Sequence, residues 1–486
     1  MYNMTPHDIL AVLAIVCIPA GLFFWLRPSQ GTKSATDQGL RMPLSDDDFL
    51  GLKTLTTLIN AAITGKMHEL EISMYTSSNV QTLGFMRMSK LSVMTIDPQN
   101  IDSILNTNFS LYSMGHRGEY MGPLLGHHSI LTVDGPEWKT RRTTVRTILG
   151  RDRLYDLSSL EEQSIKLLAS IEAAGPGSEV DIQELFAVLA MQVTTDYLGI
   201  SDDDDSGNEQ LSNALDLAQR MVVGRILAGK ALYWVVDSFA FRRACAVCQK
   251  KVEKHVERAL QWTQSKVNVE HVTIEDGAHQ TKVKAKVSEV FASQDSNPNT
   301  VRDALIASLV AARDNTAAAF AWTFYPLARN PEVYTRLRTE VLSQFGGNDD
   351  EKKELTFDSL KQCAYLQYCM KETLRLEPSV PRSIRHTVED TMLPRGGGAD
   401  GSQPLLVKKV SHLLKSASKP QAHTDLCVKG TEVIYSFRAL QRSPLHWGAD
   451  ADQYKPERWE TAKPGLAYAP FNAGVFRATL FRKSQS

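Results

Sequence analysis

Lys371–Pro381, with the sequence KETLRLEPSVP, is the stretch that decides the fold of this chain. Within it, Glu372 and Arg375 lie three positions apart, so on a helix they share one face. The residues around them are largely apolar, which predicts that this face packs inward. A charged pair in such a place needs further partners, because leaving one buried charge uncompensated costs roughly 3–5 kcal/mol. Arg458, in the later segment Pro456–Trp459 (PERW), is the candidate partner.

An exposed ion pair is the commoner arrangement of a glutamate and an arginine at this spacing, and the pair alone does not exclude it. The order of three segments favours burial. ETLR at 372–375 is followed by PERW at 456–459 and by PFNAG at 470–474. Together these segments resemble the C-terminal half of the cytochromes P-450, the haem-thiolate monooxygenases. The resemblance implies that the glutamate and arginine of ETLR and the arginine of PERW are structural residues, which lock the core beneath a haem.

The haem-ligand loop of this family reads FxxGxRxCxG, and its cysteine binds the iron. Phe471 and Gly474 match the first two fixed positions and are the expected haem-binding residues of this loop. Phe476 stands where the family has arginine, and Ala478 stands where it has the cysteine. The resemblance therefore implies a haem cofactor, no metal ligand at the expected position, and a C-terminus truncated before the helix that normally follows the cysteine.

The fold that the resemblance implies is mostly α with a small β-rich lobe, the cytochrome P-450-like prism, without the cysteine-ligand loop and the helix after it. The long helical periods agree with it, and short strands are expected within Thr76–Asp97 and Pro404–Ser436. The predicted organisation is a membrane anchor at 1–30, a polar linker with the start of the catalytic domain at 31–75, and a cytochrome P-450-like domain at 76–486.

The composition is that of an ordinary globular protein, with 43% hydrophobic residues and a net charge of −1. This balance gives no indication of a nucleic-acid partner. The six cysteines are too scattered for a disulfide framework, which favours a reducing compartment. Cys245 and Cys248 form a lone CxxC, a weak metal or redox motif that we interpret as packing.

Ile9–Leu26 is an uncharged and almost wholly apolar run of 18 residues, the length needed to cross a bilayer as a helix. Arg27, Lys33 and Arg41 follow it, so the positive-inside bias leaves the rest of the chain in the cytoplasm. A cleaved signal peptide is the competing interpretation, but no basic region precedes the run. The segment predicts a single N-terminal anchor, in the endoplasmic reticulum membrane according to the resemblance.

Asp134–Arg142, with the sequence DGPEWKTRR, predicts the start of a helix, because aspartate suits the N-cap and proline the first turn. Trp138 and Arg142 lie four apart and share a face. The spacing matches the family's WxxxR, whose residues hold a haem propionate, and a guanidinium forks around a carboxylate. An isolated WxxxR is more often a surface arginine beside a core tryptophan. Arg385 falls where the family often has another propionate contact.

Val301–Asn330 is among the longest periodic runs and predicts a helix, which Asn299 or Thr300 is expected to cap. Pro331 should end it, because the residue before a proline avoids helical geometry. The centre of the run, AARDNT at 311–316, resembles the family's AGxDTT.

In the family, the acid and the hydroxyl of AGxDTT pass protons to bound oxygen, which is general acid work. Asp314 keeps the acid, Asn315 replaces the first threonine, and Thr316 follows one position later. These three are the expected catalytic residues. The alternative for Asp314 is an ordinary exposed helix carboxylate.

Four further segments resemble the fungal branch of the family that hydroxylates alkanes and fatty acids. These are Ile96–Pro98, Met114–Arg117, Pro123–Gly126 and Leu393–Gly401. The resemblance to this branch implies a long, apolar, small-molecule substrate.

Two segments depart from the family pattern. Lys408–Cys427 is an insertion between two expected strands, and its Ser, Lys and His content shows no strand alternation. Residues 475–486 form an aberrant tail in place of the cysteine loop. Our hypothesis is that both derive from intron sequence read through by a gene model, or from splice damage in a real transcript.

Two interpretations of function follow. In the first, the chain is a membrane-anchored, haem-dependent monooxygenase that hydroxylates an alkane or fatty acid with O2 and electrons from an NADPH-dependent reductase. In the second, it is a non-catalytic, haem-poor remnant that at most binds apolar ligands, because the axial cysteine is absent. A helical scaffold of another family would require five ordered motif matches to arise by chance.

Overall fold

The computed structural model describes residues 38–42, 52–87, 90–148, 157–201, 205–269, 286–347, 355–409 and 430–472. The predicted anchor at Ile9–Leu26, nearly all of the insertion at 408–427, and the tail with Gly474 and Ala478 lie outside these residues. No described helix combines the length and the apolar composition needed to cross a bilayer.

The elements of the described residues are numbered in chain order. The helices are α1 (Leu52–Ile63), α2 (Met67–Ser78), α3 (Pro98–Asp102), α4 (Arg117–Leu125), α5 (Gly135–Ile148), α6 (Ser158–Ala174), α7 (Ile182–Leu198), α8 (Asp205–Leu232), α9 (Phe239–Val269), α10 (Val287–Gln294), α11 (Pro298–Arg329), α12 (Pro331–Phe345), α13 (Phe357–Gln362), α14 (Ala364–Leu376), α15 (Phe437–Gln441) and α16 (Pro444–Trp447). The strands are β1 (Thr82–Arg87), β2 (Lys90–Thr95), β3 (Tyr112–Ser113), β4 (Arg382–Thr387), β5 (Thr391–Gly397), β6 (Gln403–Val407) and β7 (Glu432–Ser436). Short 3₁₀ turns include Tyr233–Val236 and Pro456–Glu460.

The chain divides into two compact units. The first comprises Met1–His116, Val380–Gln453 and Lys463–Ser486, and the second comprises Arg117–Ser379 and Tyr454–Ala462. All the strands of the described residues lie in the first unit, whereas the long helices α5 to α12 lie in the second. The expectation of a mostly α fold with a small β-rich lobe is confirmed.

The first unit is built on a five-stranded sheet with the order β1-β2-β7-β4-β3. β2 and β7 pair in parallel, with Val93 opposite Val433, although about 340 residues separate them. β4 joins the other edge of β7 in antiparallel register, with Arg385 opposite Val433. A separate hairpin joins β5 to β6. The alternating apolar side chains of these strands form one core with α2, which includes Leu83, Val93 and Val433.

Short strands were expected within Thr76–Asp97, and β1 and β2 lie within this range. The first residues of the range, Thr76–Ser78, complete helix α2, on which Met74 and Tyr75 are buried. Asn79, with φ 51°, ends the helix in the left-handed conformation that asparagine tolerates.

The second unit has a core of helices α4, α7, α8, α9, α10 and α11. Cys245 and Cys248 lie within this core, as the packing interpretation of the CxxC predicted. Helix α11 begins at Pro298, and the cap is Asn297, whose side chain accepts a hydrogen bond from the Asn299 amide at 3.0 Å. The expected caps at Asn299 and Thr300 were wrong, because Pro298 already occupies the first helical position, which it favours.

Candidate active site

Glu372 is the centre of a buried polar network in the second unit. Helix α14 brings Arg375 beside it, and the guanidinium donates to both carboxylate oxygens, from Nε at 2.9 Å and from Nη2 at 2.8 Å. Arg458 donates to Oε1 from Nε at 3.0 Å. The backbone amide of Lys455 and the indole Nε1 of Trp459 also donate to the carboxylate, each at 3.0 Å. The side chains of Glu372 and Arg375 are 0% exposed.

This network joins α14 to the PERW segment at 456–459. Arg458 takes the place expected of it, so ETLR and PERW meet. The contributions of Lys455 and Trp459 were not predicted. Lys455 donates through its backbone amide, which the side-chain pattern cannot indicate. A tryptophan in a sequence is first interpreted as an apolar core residue, although its indole N–H donates here. The arrangement satisfies a buried carboxylate with charged and neutral donors, which is the condition for placing such a charge inside a protein.

A second cluster supports the PERW segment from helix α12. Arg336 lies over the ring of Tyr365 at 4.1 Å and donates to Glu457 at 3.1 Å. The hydroxyl of Tyr365 also donates to Glu457, at 2.5 Å. Burial opposes the charge of Glu457, but the hydrogen bond from Tyr365 and the charge of Arg336 outweigh it and lower the pKa of the carboxyl. The 3₁₀ turn at Pro456–Glu460 is therefore contacted by Arg336 from α12 and by Tyr365 from α14.

Asp314 lies on α11 and is engaged by side chains. Gln219 of α8 donates to its Oδ2 at 2.5 Å, and Arg313 donates to its Oδ1 at 3.1 Å. Burial raises the pKa of Asp314, while the Arg313 charge and the Gln219 hydrogen bond oppose the rise. The alternative of an ordinary exposed helix carboxylate does not describe Asp314, because its carboxylate is partnered and half-buried, with a side chain 36% exposed.

The other two expected catalytic residues follow Asp314 on the same helix. Asn315 is exposed, and its amide donates back to the carbonyl of Ala311 at 2.7 Å. The backbone carbonyl of Asn315 accepts from the hydroxyl of Ser379 at 3.3 Å. Thr316 is half-buried. The asparagine that replaces the threonine of the family pattern therefore bonds locally, as short amide side chains do on helices.

Trp138 and Arg142 come together on α5. The indole is buried, and the Arg142 guanidinium lies over its ring at 5.3 Å, within the range of a cation–π contact. The neighbouring Arg141 turns elsewhere, to Asp295 at 2.8 Å. The helix therefore separates two adjacent arginines, one on the tryptophan and one in an ion pair.

Arg385 and Phe471 lie in the first unit. Arg385 projects from β4, is 2% exposed, and donates to the carbonyl of Ile384 at 2.7 Å and to the hydroxyl of Ser383 at 3.3 Å. Phe471 is half-buried, and Asn472 after it has φ 70°. Gly474 and Ala478 lie outside the described residues.

The family model described as cytochrome P-450 matches residues 55–395, which is more than half of the chain. The chain belongs to the cytochrome P-450 family. The match includes α5, the centre of α11, and the Glu372–Arg375 pair, and it ends shortly before the insertion at 408–427.

Relatives in yeasts extend the similarity over most of the chain. Cytochrome P-450 52A5 of Candida maltosa is 31% identical over 498 residues, which covers 97% of this chain and 86% of the relative. Cytochrome P-450 52A7 of Candida tropicalis is 33% identical over 473 residues, covering 92% and 83% respectively. Cytochrome P-450 52A4 of Candida maltosa is 32% identical over 419 residues, covering 82% and 71%.

The donor set of the described residues fits the carboxylate side of a haem and not its iron. Arginines such as Arg142 suit propionate groups, because they offer parallel N–H donors. The iron side requires a thiolate, and burial raises the pKa of Cys245, Cys248 and Cys369 to about 12 each. These three cysteines are therefore thiols inside helices at neutral pH, and position 478 carries alanine.

Proposed function

We propose that this chain derives from haem-dependent monooxygenases that hydroxylate long apolar substrates, alkanes or fatty acids, with O2. Membership of the cytochrome P-450 family, with relatives of the 52A group aligned over up to 97% of the chain, is the observation that carries the proposal. The segments Ile96–Pro98, Met114–Arg117, Pro123–Gly126 and Leu393–Gly401 support the alkane- and fatty-acid-hydroxylating branch.

Two groups of residues would serve this function. Trp138 and Arg142 of the second unit are proposed to hold a haem propionate, because Arg142 is partly withdrawn from water and offers a guanidinium fork. Asp314 and Thr316 are proposed to hold and transfer protons on α11. Thiolate-ligated haem supplies O–O cleavage when it is bound.

The cellular setting forms part of the same proposal. The apolar run Ile9–Leu26, followed by basic residues, supports a single anchor in the endoplasmic reticulum membrane with the remainder in the cytoplasm. Electrons would come from an NADPH-dependent reductase. The long apolar substrate would partition into the same membrane.

A second candidate function is favoured by Ala478. A methyl group cannot ligate iron, and the described cysteines are buried thiols. In this case the polypeptide as written is a haem-poor, non-catalytic member that retains the structural network of Glu372. The insertion at 408–427 and the tail at 475–486 would then share one origin in mis-spliced sequence.

The carbon monoxide difference spectrum of the reduced full-length protein separates these candidates. We expect no thiolate-type Soret band from the chain as written, and a thiolate-type band from Ala478→Cys, alone or with Phe476→Arg. Ala478→Ser is the matched control, because serine is close to cysteine in size but its hydroxyl cannot supply a thiolate ligand.

Each outcome has a consequence. A thiolate-type band in the unchanged chain, with hydroxylation of a fatty acid in the presence of reductase, would refute the second candidate. Loss of haem from every variant, Ala478→Cys included, would contradict the monooxygenase proposal. Full-length cDNA that retains both 408–427 and 475–486 would exclude a gene-model error.

A further inference from the structure

A stripe of polar residues on helix α8 faces the centre of α11. Ser212, Asp216 and Gln219 are spaced by four and three residues, so they share one face of α8. Arg313 donates to Asp216 at 2.8 Å and to the hydroxyl of Ser212 at 2.7 Å. Gln219 reaches Asp314 on the same stretch of α11. Long polar side chains thus bridge these two helices beside their apolar core.

Arg313 is the cation that pairs with both carboxylates of this bridge. Its side chain is 3% exposed, so its guanidinium must be compensated by partners inside the protein. One nitrogen, Nη1, lies 2.8 Å from Asp216 and 3.1 Å from Asp314, so two carboxylates share one cation. Because the shared cation cannot fully neutralise both, the charge of Asp216 opposes ionisation of Asp314.

The groups that act on the Asp314 carboxyl come from two helices. Arg313 belongs to its own helix, and Gln219 and Asp216 belong to α8. Of the described helices, α8 is the one that brings a second carboxylate to it. Burial favours the neutral acid, Arg313 and Gln219 favour the carboxylate, and the Asp216 charge opposes it.

We propose that Arg313 is a positioning residue for Asp314, which holds the carboxyl in one orientation and links its protonation to the contact between α8 and α11. This inference rests on the proposed function only for the catalytic meaning of Asp314. The physical coupling between the two acids holds whether or not haem binds. Asp216 lies on α8 and shares Arg313 with Asp314, so a movement of α8 would alter the charge that acts on the Asp314 carboxyl.

The coupling can be measured in the apoprotein from the pH dependence of the free energy of unfolding. Comparing each background with and without Asp314→Asn isolates the titration of Asp314, because linkage relates that pH dependence to its folded and unfolded pKa. A raised folded pKa stabilises the fold at acid pH, and this stabilisation is lost as pH rises through the folded pKa. The position of this loss on the pH axis is the readout.

We expect Asp216→Asn to move that loss to lower pH, because a like charge disappears while the Arg313 charge remains beside Asp314. We expect Gln219→Leu to move it to higher pH, because the carboxylate loses a donor. Asp358→Asn, on the distant helix α13, is the matched control and should leave it in place. Arg313→Lys keeps the charge and should shift it less than Arg313→Gln.

A merely structural role would give a different pattern. In that case Asp216→Asn and Arg313→Gln would lower stability equally at every pH, without moving the Asp314 titration, and the proposal would be overturned. If Arg313→Gln does not fold, the shifts in Asp216→Asn and Gln219→Leu still decide the question. The carbon monoxide spectrum plays no part in this test. If the expected shifts of the Asp314 titration do not appear, the proposed function is therefore unaffected.

Discussion

Replacing Glu372 with glutamine is the sharpest test of the buried network, because the change keeps the shape and removes the charge. The Arg375 guanidinium, which is 0% exposed, would lose the carboxylate that both its Nε and its Nη2 face. The amide keeps one oxygen, so either Arg458, which donates to Oε1, or Trp459, which donates to Oε2, would face an NH2 group in place of an acceptor. Breaking a buried pair from one side costs about 3–5 kcal/mol. Because a fold is stable by only about 5–15 kcal/mol, Glu372→Gln should remove at least about a fifth of the total.

The assay is urea unfolding of the full-length chain, followed by far-ultraviolet circular dichroism. Glu162→Gln is the matched control, because Glu162 forms an exposed pair with Lys166 at 2.8 Å in the same unit. An exposed pair at this helical spacing contributes only about 0.3–0.5 kcal/mol. If Glu372→Gln costs no more than Glu162→Gln, the reasoning from burial is wrong.

Three further changes test other parts of the molecule. Gly126→Ala should destabilise the second unit by about 1–3 kcal/mol in urea unfolding, because φ is 75° and a β-carbon would overlap the Asp303 carboxyl; an unchanged midpoint would contradict this. Glu71→Gln should abolish a fall in stability as pH rises above 4.5, since burial raises the pKa of Glu71 and the folded state holds its proton more tightly; parallel pH profiles of variant and parent would refute it. Asn297→Ala should cost about 1 kcal/mol, measured by thermal unfolding, because α11 loses its cap, whereas Asn299→Ala should cost less.

Much of the fold could be predicted because its signals are local. The helix carrying Glu372 and Arg375, the proline that ends α11, and the short strands near Pro404–Ser436 all follow from spacing and propensity. An error arose at the start of α11, where Asn297 is the cap in place of Asn299 or Thr300, because Pro298 already occupies the first helical position.

The candidate site could be predicted only in part. The arginine that completes the Glu372 network was expected from the PERW motif, but Trp459 was not, because its indole N–H becomes a donor only after the turn is folded. The stripe on α8 that engages Asp314 has a readable spacing of four and three. Such a polar pattern is ordinarily a solvated helix face, and nothing in it indicates a partner about 95 residues away.

The amino-acid sequence by itself determined the family resemblance, the helical periods and the alanine at position 478, because these depend on residue identity and short spacing. Only the tertiary structure decided that β2 pairs in parallel with β7, that Glu372 and Arg375 are withdrawn from water, and that Arg313 is shared by two carboxylates. The physical reason is that burial and long-range pairing are properties of the packed chain. A charge costs little in water, and its partners become necessary only when folding removes the solvent.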